Sequence, residues 1–286
     1  MKKKEKLSLE STYLKASGNE TISVEVITPD IAREMLKKNT NNRRMKVYSK
    51  NKYSRDMKNG KWAFNGSTIC ITEDEVLGDG QTRLQACIDS GTPFETIVVR
   101  NLKRDAVKTI DLGNPKSVAD HLKIDGIKYS TNVAATAKKV MSAEDRKSTK
   151  SLSYSYNEIF EEITRKDRAE YYEKAAKFAE YIYKESKLLT KSYVSTAYVR
   201  LRILSHPEES ILEFFNQFID QKPACGVIRS LRKEITLGIN KKTGKTITSK
   251  DKFNLLILAW NEFKRGNLNN KVKIVDLEKD LIEDFE

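Results

Sequence analysis

The residues of this chain best suited to chemistry are Gly78, Asp79, Gly80, Gln81, Thr82 and Arg83. They follow a short β-type run, Ser67-Thr68-Ile69-Cys70-Ile71-Thr72, and open an apolar helical run from Leu84 to Ile88. A glycine turn between strand and helix collects unpaired amides, the positive end of a helix dipole and, here, an arginine. The glycines let the backbone approach an oxyanion, and Arg83 offers a planar fork of donors. The chemistry to which these residue types point is phosphate binding. The same residues also read as a tight turn in which Arg83 pairs with an acid. Gln81 and Thr82 could bond the ligand or simply cap the helix. Asp79 could position a metal or a ribose hydroxyl, or act as a base; its blander role is to cap the helix that follows. Asp111, ahead of Gly113-Asn114-Pro115-Lys116-Ser117, is a second candidate acid. Ser117 reads as a plain N-cap.

Charge points the same way. The 286 residues carry a formal net charge of +13, which favours a polyanionic partner, nucleic acid before membrane. Residues 33–61 hold 11 Lys/Arg against Glu34 and Asp56, net +9. Arg43, Arg44, Lys50, Lys52 and Arg55 in that stretch are the candidate phosphate and DNA contacts. A second basic excess at 229–252 adds Lys241, Lys242 and Lys245. Cys70, Cys87 and Cys225 are far apart and accompany only two histidines, His121 and His206, so neither a structural zinc site nor a disulfide framework is expected. No metal ligands are assigned. There is no apolar run of signal-peptide or membrane-spanning kind, and a cytoplasmic location without membrane contact is the expectation.

Several elements would position these groups. Residues 1–20 read as a loosely ordered polar segment. Ile22, Val24 and Val26 alternate with Ser23 and Glu25, a strand signal. Thr28-Pro29-Asp30 starts a helix that ends near Asn39. Ser49 would cap a second helix, stopped at Asn59-Gly60. Trp62-Ala63-Phe64 reads as a core strand entering a turn at Asn65-Gly66. A hairpin through Glu73-Asp74-Glu75 leads into the glycine segment, Gly91 ends the helix at 81–90, and Thr96–Arg100 is a buried strand. Two short helices, 103–110 and 117–124, follow. Near Asp125-Gly126 strand signals give way to helical windows at 131–142, 156–185, 192–205, 208–220, 225–237 and 250–265, with a late strand at 271–275. The expected architecture is α+β over 21–125, then a mainly α-helical domain over 126–286. No helix-turn-helix is legible; 225–237 and 192–205 are the windows to inspect for a recognition helix.

The motif order resembles the ParB/sulfiredoxin-like superfamily, closest to the ParB-like proteins of bacteriophages and mobile elements. The carriers are Asp56-Met57-Lys58-Asn59-Gly60-Lys61-Trp62, Asn65-Gly66, Asp79-Gly80-Gln81-Thr82-Arg83-Leu84-Gln85-Ala86 and Ile110-Asp111-Leu112-Gly113. Leu231-Arg232, Ala259-Trp260-Asn261 and Gly266 are similar to the carboxyl-terminal part of that group. The resemblance implies a compact α+β domain whose Gly80-Gln81-Thr82-Arg83 loop faces a nucleoside triphosphate, CTP or ATP, with or without Mg²⁺. Relatives bind CTP, bind or hydrolyse ATP, transfer phosphate or cut DNA. Sulfiredoxins carry Gly-Cys-His-Arg in this loop, so sulfinic-acid reduction is not expected here. Chromosomal ParB proteins carry Gly-Glu-Arg-Arg, and the commoner phage form has His where Thr82 stands. The leading expectation is a nucleotide-responsive DNA-binding protein, with a homodimer permitted. The alternatives are an NTPase, phosphotransferase or nuclease using Asp79 and Asp111, and a phage protein that inhibits a host factor by direct binding.

Overall fold

A computed structural model describes residues 18–40, 42, 44–110, 116–145, 153–239, 244–272 and 285. Contacts divide the chain into two compact units, Met1–Pro115 and Lys116–Glu286. The molecule is mixed α+β, with a four-stranded sheet and 12 helices among the described residues.

In the first unit, strand β1 (Thr21–Ile27) leads to α1 (Pro29–Lys37). Thr28 starts that helix by accepting from the Ile31 amide, and Pro29 occupies a position whose amide has no helical partner. Helix α2 (Val47–Lys58) starts after Lys46 with no side-chain cap, so Ser49 lies inside the helix rather than at its end. The hairpin β2 (Thr68–Thr72) and β3 (Leu77–Asp79) delivers the chain to α3 (Gln81–Ser90), which closes at Gly91 in the left-handed conformation. Then come β4 (Phe94–Leu102) and the single turn α4 (Arg104–Val107). Residues 62–64 form no strand; the chain there is irregular up to β2. Trp62 packs edge-on against Tyr53 and Phe94, whereas Phe64 is exposed and outside the core.

The sheet order is β1-β4-β2-β3. The central pair β2–β4 is parallel and the other two pairs are antiparallel. One face presents Ile27, Ile69, Phe94 and Val98 to Ala32 and Met35 of α1, Met57 of α2 and Leu84 and Cys87 of α3, forming one apolar core. Burial raises the Cys87 thiol to about 11, so this cysteine is an inert core group. The alternation in β1 is real, but its apolar set faces outward: Ile22, Val24 and Val26 are 44%, 58% and 58% exposed.

The second unit is helical: α5 (Val118–Ile124), α6 (Ser130–Glu144), α7 (Tyr156–Thr164), α8 (Ala169–Ser186), α9 (Lys191–Ile203), α10 (Glu208–Ile219), α11 (Gly226–Leu237) and α12 (Ser249–Lys264). Leu122 of α5 belongs to this unit's core, so the change of composition at 125–126 lies one helix beyond the division by contacts. Capping boxes close the starts of α5 (Ser117 with Asp120), α7 (Ser155 with Glu158) and α12 (Thr248 with Asp251). Trp260, Tyr198, Phe214, Phe215 and Phe218 fill the centre. Val272 lies in no strand, and 273–275 are outside the described residues.

The window 156–185 is not one helix. It breaks between Thr164 and Ala169, where Arg168 leaves helical geometry (φ −135°, ψ −18°) and turns inward. Arg168 donates to Glu144 at 2.9 Å and to Glu162 at 3.0 Å, and Tyr172 donates to the same Glu162 at 2.7 Å. Glu162 is 6% exposed, and Arg168 is the nearer of the two cations that permit its burial, with Arg165 at 3.6 Å. The net of these partners holds Arg168 above its ordinary pKa: burial works against the charge, and the bonds to Glu144 and Glu162 outweigh it. Among the described residues no helix is long and apolar enough to cross a membrane.

Candidate functional site

Asp79 ends β3 and Gln81 begins α3, so Gly80 alone must reverse the backbone. It does so at φ +110°, with its α-carbon turned toward Ile69; an added Cβ would lie 3.0 Å from Ile69 Cγ1. A side chain here would be strained by conformation and crowded by the core. The Gly80 carbonyl accepts from the Arg83 and Leu84 amides, both at 3.0 Å. Gly80, the N-cap of α3, has no side chain with which to cap it.

Arg83 stands one turn into this helix. Its Nη2 donates to the Thr68 carbonyl and to Asp79 Oδ2, each at 2.7 Å. The side chain is 11% exposed. Its Nη1 is buried and has no hydrogen-bond partner among the described residues. Asp79 thus holds the arginine instead of capping α3, contrary to the simplest sequence reading. A guanidinium fixed by one nitrogen and unsatisfied at the other is a donor in search of an acceptor.

Around this group lies a cavity of about 880 Å³. Asp79, Gly80, Gln81, Thr82 and Arg83 form one wall, and Arg44, Lys46 and Ser49 form another. Tyr53 and Trp62 supply aromatic surface, Asn65 to Thr68 supply a turn, and Ile110 supplies an apolar edge. Among the described lining residues, three cations, Arg44, Lys46 and Arg83, meet one acid, Asp79. Asn65 shapes the turn by accepting from the Ser67 amide at 3.1 Å. Asn42 Nδ2 donates to Asn39 Oδ1 and to the Leu77 carbonyl, both at 2.6 Å, and Asn39 donates to Gln81 at 3.3 Å. These bonds fasten the segment after α1 to the hairpin and to the start of α3. Gln81 is 8% exposed and serves that scaffold.

Gly78 does not line the cavity. Its place is packing: an added Cβ would come within 2.7 Å of Val107 Cγ2, so α4 rests where a side chain would be. Of the basic residues singled out, Arg44 reaches the cavity. Lys50 pairs instead with Asp89 of α3 at 2.5 Å. Burial raises the Asp89 pKa, but bonds from Lys50 and Gln85 outweigh it and leave the carboxyl below its ordinary value. Lys52 lies 5.4 Å from the Tyr53 ring centre, and Arg55 is half-buried on α2. Lys245 is exposed in the second unit, next to an isolated bridge between Ile239 and Thr246. Arg43, Asp111, Lys241 and Lys242 lie outside the described residues. Ser117 is an N-cap and no more, accepting from the Asp120 amide at 3.2 Å.

Lys46, Ser49, Tyr53 and Ile110 were not among the site residues expected from the sequence. The signal for two of them was present, since Ser49 and Tyr53 stand one turn apart on a helix already expected to be basic. The two helical windows differ in what they leave exposed. In α9 every residue from Val194 to Leu201 is buried. On α11, Arg229 donates to the Pro223 carbonyl at 2.9 Å and Arg232 donates to the Phe218 carbonyl. No group of three or more His, Cys, Asp or Glu that could hold a metal occurs among the described residues. Set against known proteins, the chain matches no family model, no curated protein and no solved structure.

Proposed function

We propose that this chain is a nucleotide-responsive DNA-binding protein of ParB/sulfiredoxin-like type, with the phosphates of a nucleoside triphosphate held in the cavity at the start of α3. The observation that carries this reading is the spare Nη1 of Arg83, buried beside an uncapped helix N-terminus in a cavity that also presents Arg44 and Lys46. An anion there would complete the arginine, lie at the positive end of the α3 dipole and neutralise the excess of cations. Trp62 and Tyr53 offer the same cavity a flat surface for a base or sugar. The motif order around these residues supports CTP or ATP as the ligand. The +13 charge supports DNA as the partner.

Catalysis finds less support. Asp79 is the acid at the cavity among the described residues, and its carboxylate is paired with Arg83. The test is a panel of ATP, CTP, GTP and UTP, with and without Mg²⁺ and duplex DNA, read as thermal stabilisation of the full chain. A binding nucleotide at 100 times its Kd stabilises the native state by about 2.7 kcal/mol. The expected result is stabilisation by one or more nucleotides, reduced in Arg83→Ala, and DNA affinity that falls steeply with salt. Equal stabilisation of Arg83→Ala, or no stabilisation by any nucleotide, overturns the reading.

A further inference from the structure

Strand β1 is an edge of the sheet, with β4 on one side and no pairing on the other among the described residues. An edge strand carries a row of unpaired N–H and C=O groups. Natural edges are blunted by a lysine, a proline, a bulge or a short length. Thr21–Ile27 has seven residues, no lysine and no proline, and pairs with β4 without a register shift, unlike β2 with either of its neighbours. Its outward side chains, Ile22, Val24 and Val26, are the most exposed aliphatic run in the unit, and they share their face with half-buried Ile97 and Val99 of β4. An alternating strand normally turns its apolar set toward a core; here that set turns to solvent.

We propose that β1 is a self-association surface, pairing antiparallel with β1 of a second copy across a two-fold axis at Val24. This register overlaps all seven residues. It sets Ile22 opposite Val26 of the other copy and Val24 opposite its own counterpart, a continuous aliphatic ladder of the kind that stabilises strand pairs. The charge pattern suits a like partner. Glu25 is the one ionisable residue of the strand, and this register places it opposite Ser23 instead of opposite a second Glu25. The carboxylate is moreover already held by Arg100 at 2.9 Å. On a chain of net charge +13, β1 is a stretch without a cation where two copies can approach. A strand pair alone buries less than the roughly 1,200 Å² of a standard stable interface. The association is therefore concentration-dependent, and salt strengthens it by screening the remaining positive charge.

The test uses the full chain. Sedimentation across a concentration series should show a monomer–dimer equilibrium that shifts toward dimer with salt, and Val24→Lys should abolish it with an unchanged circular dichroism spectrum. A second arm reads the register. Across the two-fold, Val24 and its counterpart lie about 4.5–5.5 Å apart between Cα atoms, within disulfide range. The two copies of Ile22 lie roughly 14 Å apart, at four residues of about 3.4 Å each. Cys70, Cys87 and Cys225 are buried and do not compete. Mild oxidation should therefore cross-link Val24→Cys into a dimer and leave Ile22→Cys monomeric. A monomer at every concentration overturns the proposal, as does equal cross-linking of both cysteine variants. A monomer whose outer β1 amides are protected from exchange would assign the edge to another segment of the same chain, and equally overturns it.

Discussion

Two arginines in this molecule have the same burial and opposite circumstances. Arg83 and Arg168 are each 11% exposed. Arg168 in the helical unit is saturated: Glu144 and Glu162 take its guanidinium, and Tyr172 completes Glu162. Arg83 in the sheet unit donates through Nη2, its buried Nη1 has no acceptor among the described residues, and the residue lines a cavity. Burial alone therefore does not separate these two cations; the count of satisfied donors does. A saturated arginine is part of the fold, whereas an arginine with a buried donor to spare carries a desolvation cost that a bound anion would relieve.

The contrast is open to test, and each unit has its own reporter, Trp62 in the first and Trp260 in the second. The largest effect belongs to Arg168→Ala. Removing it leaves buried Glu162 with only the more distant Arg165, at 3.6 Å, as a cation, and the helical unit should lose about 3 kcal/mol. In urea titrations the Trp260 transition moves to lower denaturant and the Trp62 transition stays. Retention of the wild-type Trp260 midpoint would show that Arg168 is not structural. Arg83→Ala should do the reverse. The sheet unit loses only about 1–2 kcal/mol, because Asp79 is partly solvated. Nucleotide affinity meanwhile falls by roughly tenfold or more, the equivalent of one charge-assisted bond of about 1.5–3 kcal/mol. Full loss of folding with affinity intact in the surviving fraction would make Arg83 the equal of Arg168.

Gly80→Ala sharpens the comparison at lower cost. A left-handed alanine and the contact with Ile69 should remove about 1–2 kcal/mol and displace the opening amides of α3, so binding weakens with Arg83 still in place. Unchanged binding would confine the site to the guanidinium. Smallest is Ser155→Ala, which opens the cap of the helix that carries Glu162. It should lower the Trp260 transition by about 1 kcal/mol and leave nucleotide binding alone.

Locally written features were legible in the sequence. Thr28-Pro29 starts α1, Gly91 ends α3, Ser117 caps α5, and Gly80 forces a turn whose position needs no long-range knowledge. Features that depend on a distant partner were not. Arg165 to Arg168 look like helix formers, and only Glu144 and Glu162 explain why the chain breaks there. Asp79 next to a helix start suggests a cap, but the side chain of Arg83, one turn on, reaches it first. Trp62 and Phe64 share an apolar character, and Tyr53 and Phe94 decide that the first packs and the second is left outside. Periodicity announced β1 without saying which of its faces the core would take. The cavity divides in the same way: its glycines and arginine were visible as a motif, whereas Lys46 and Ile110 join it only through the fold.

The place of β1 in the sheet also sets a timetable. Its partner is β4, and the paired residues run from Ile27 with Phe94 to Thr21 with Arg100. Both central strands of the sheet are thus made long after the first edge. At roughly 5–20 residues per second of synthesis, β1 leaves the ribosome some 4–15 seconds before the strand that completes it. During that interval an aliphatic, unblunted strand has no mate of its own, and its first available match is a strand on a neighbouring nascent chain. The sheet unit is therefore one whose yield should fall with crowded translation and rise when synthesis is spaced out.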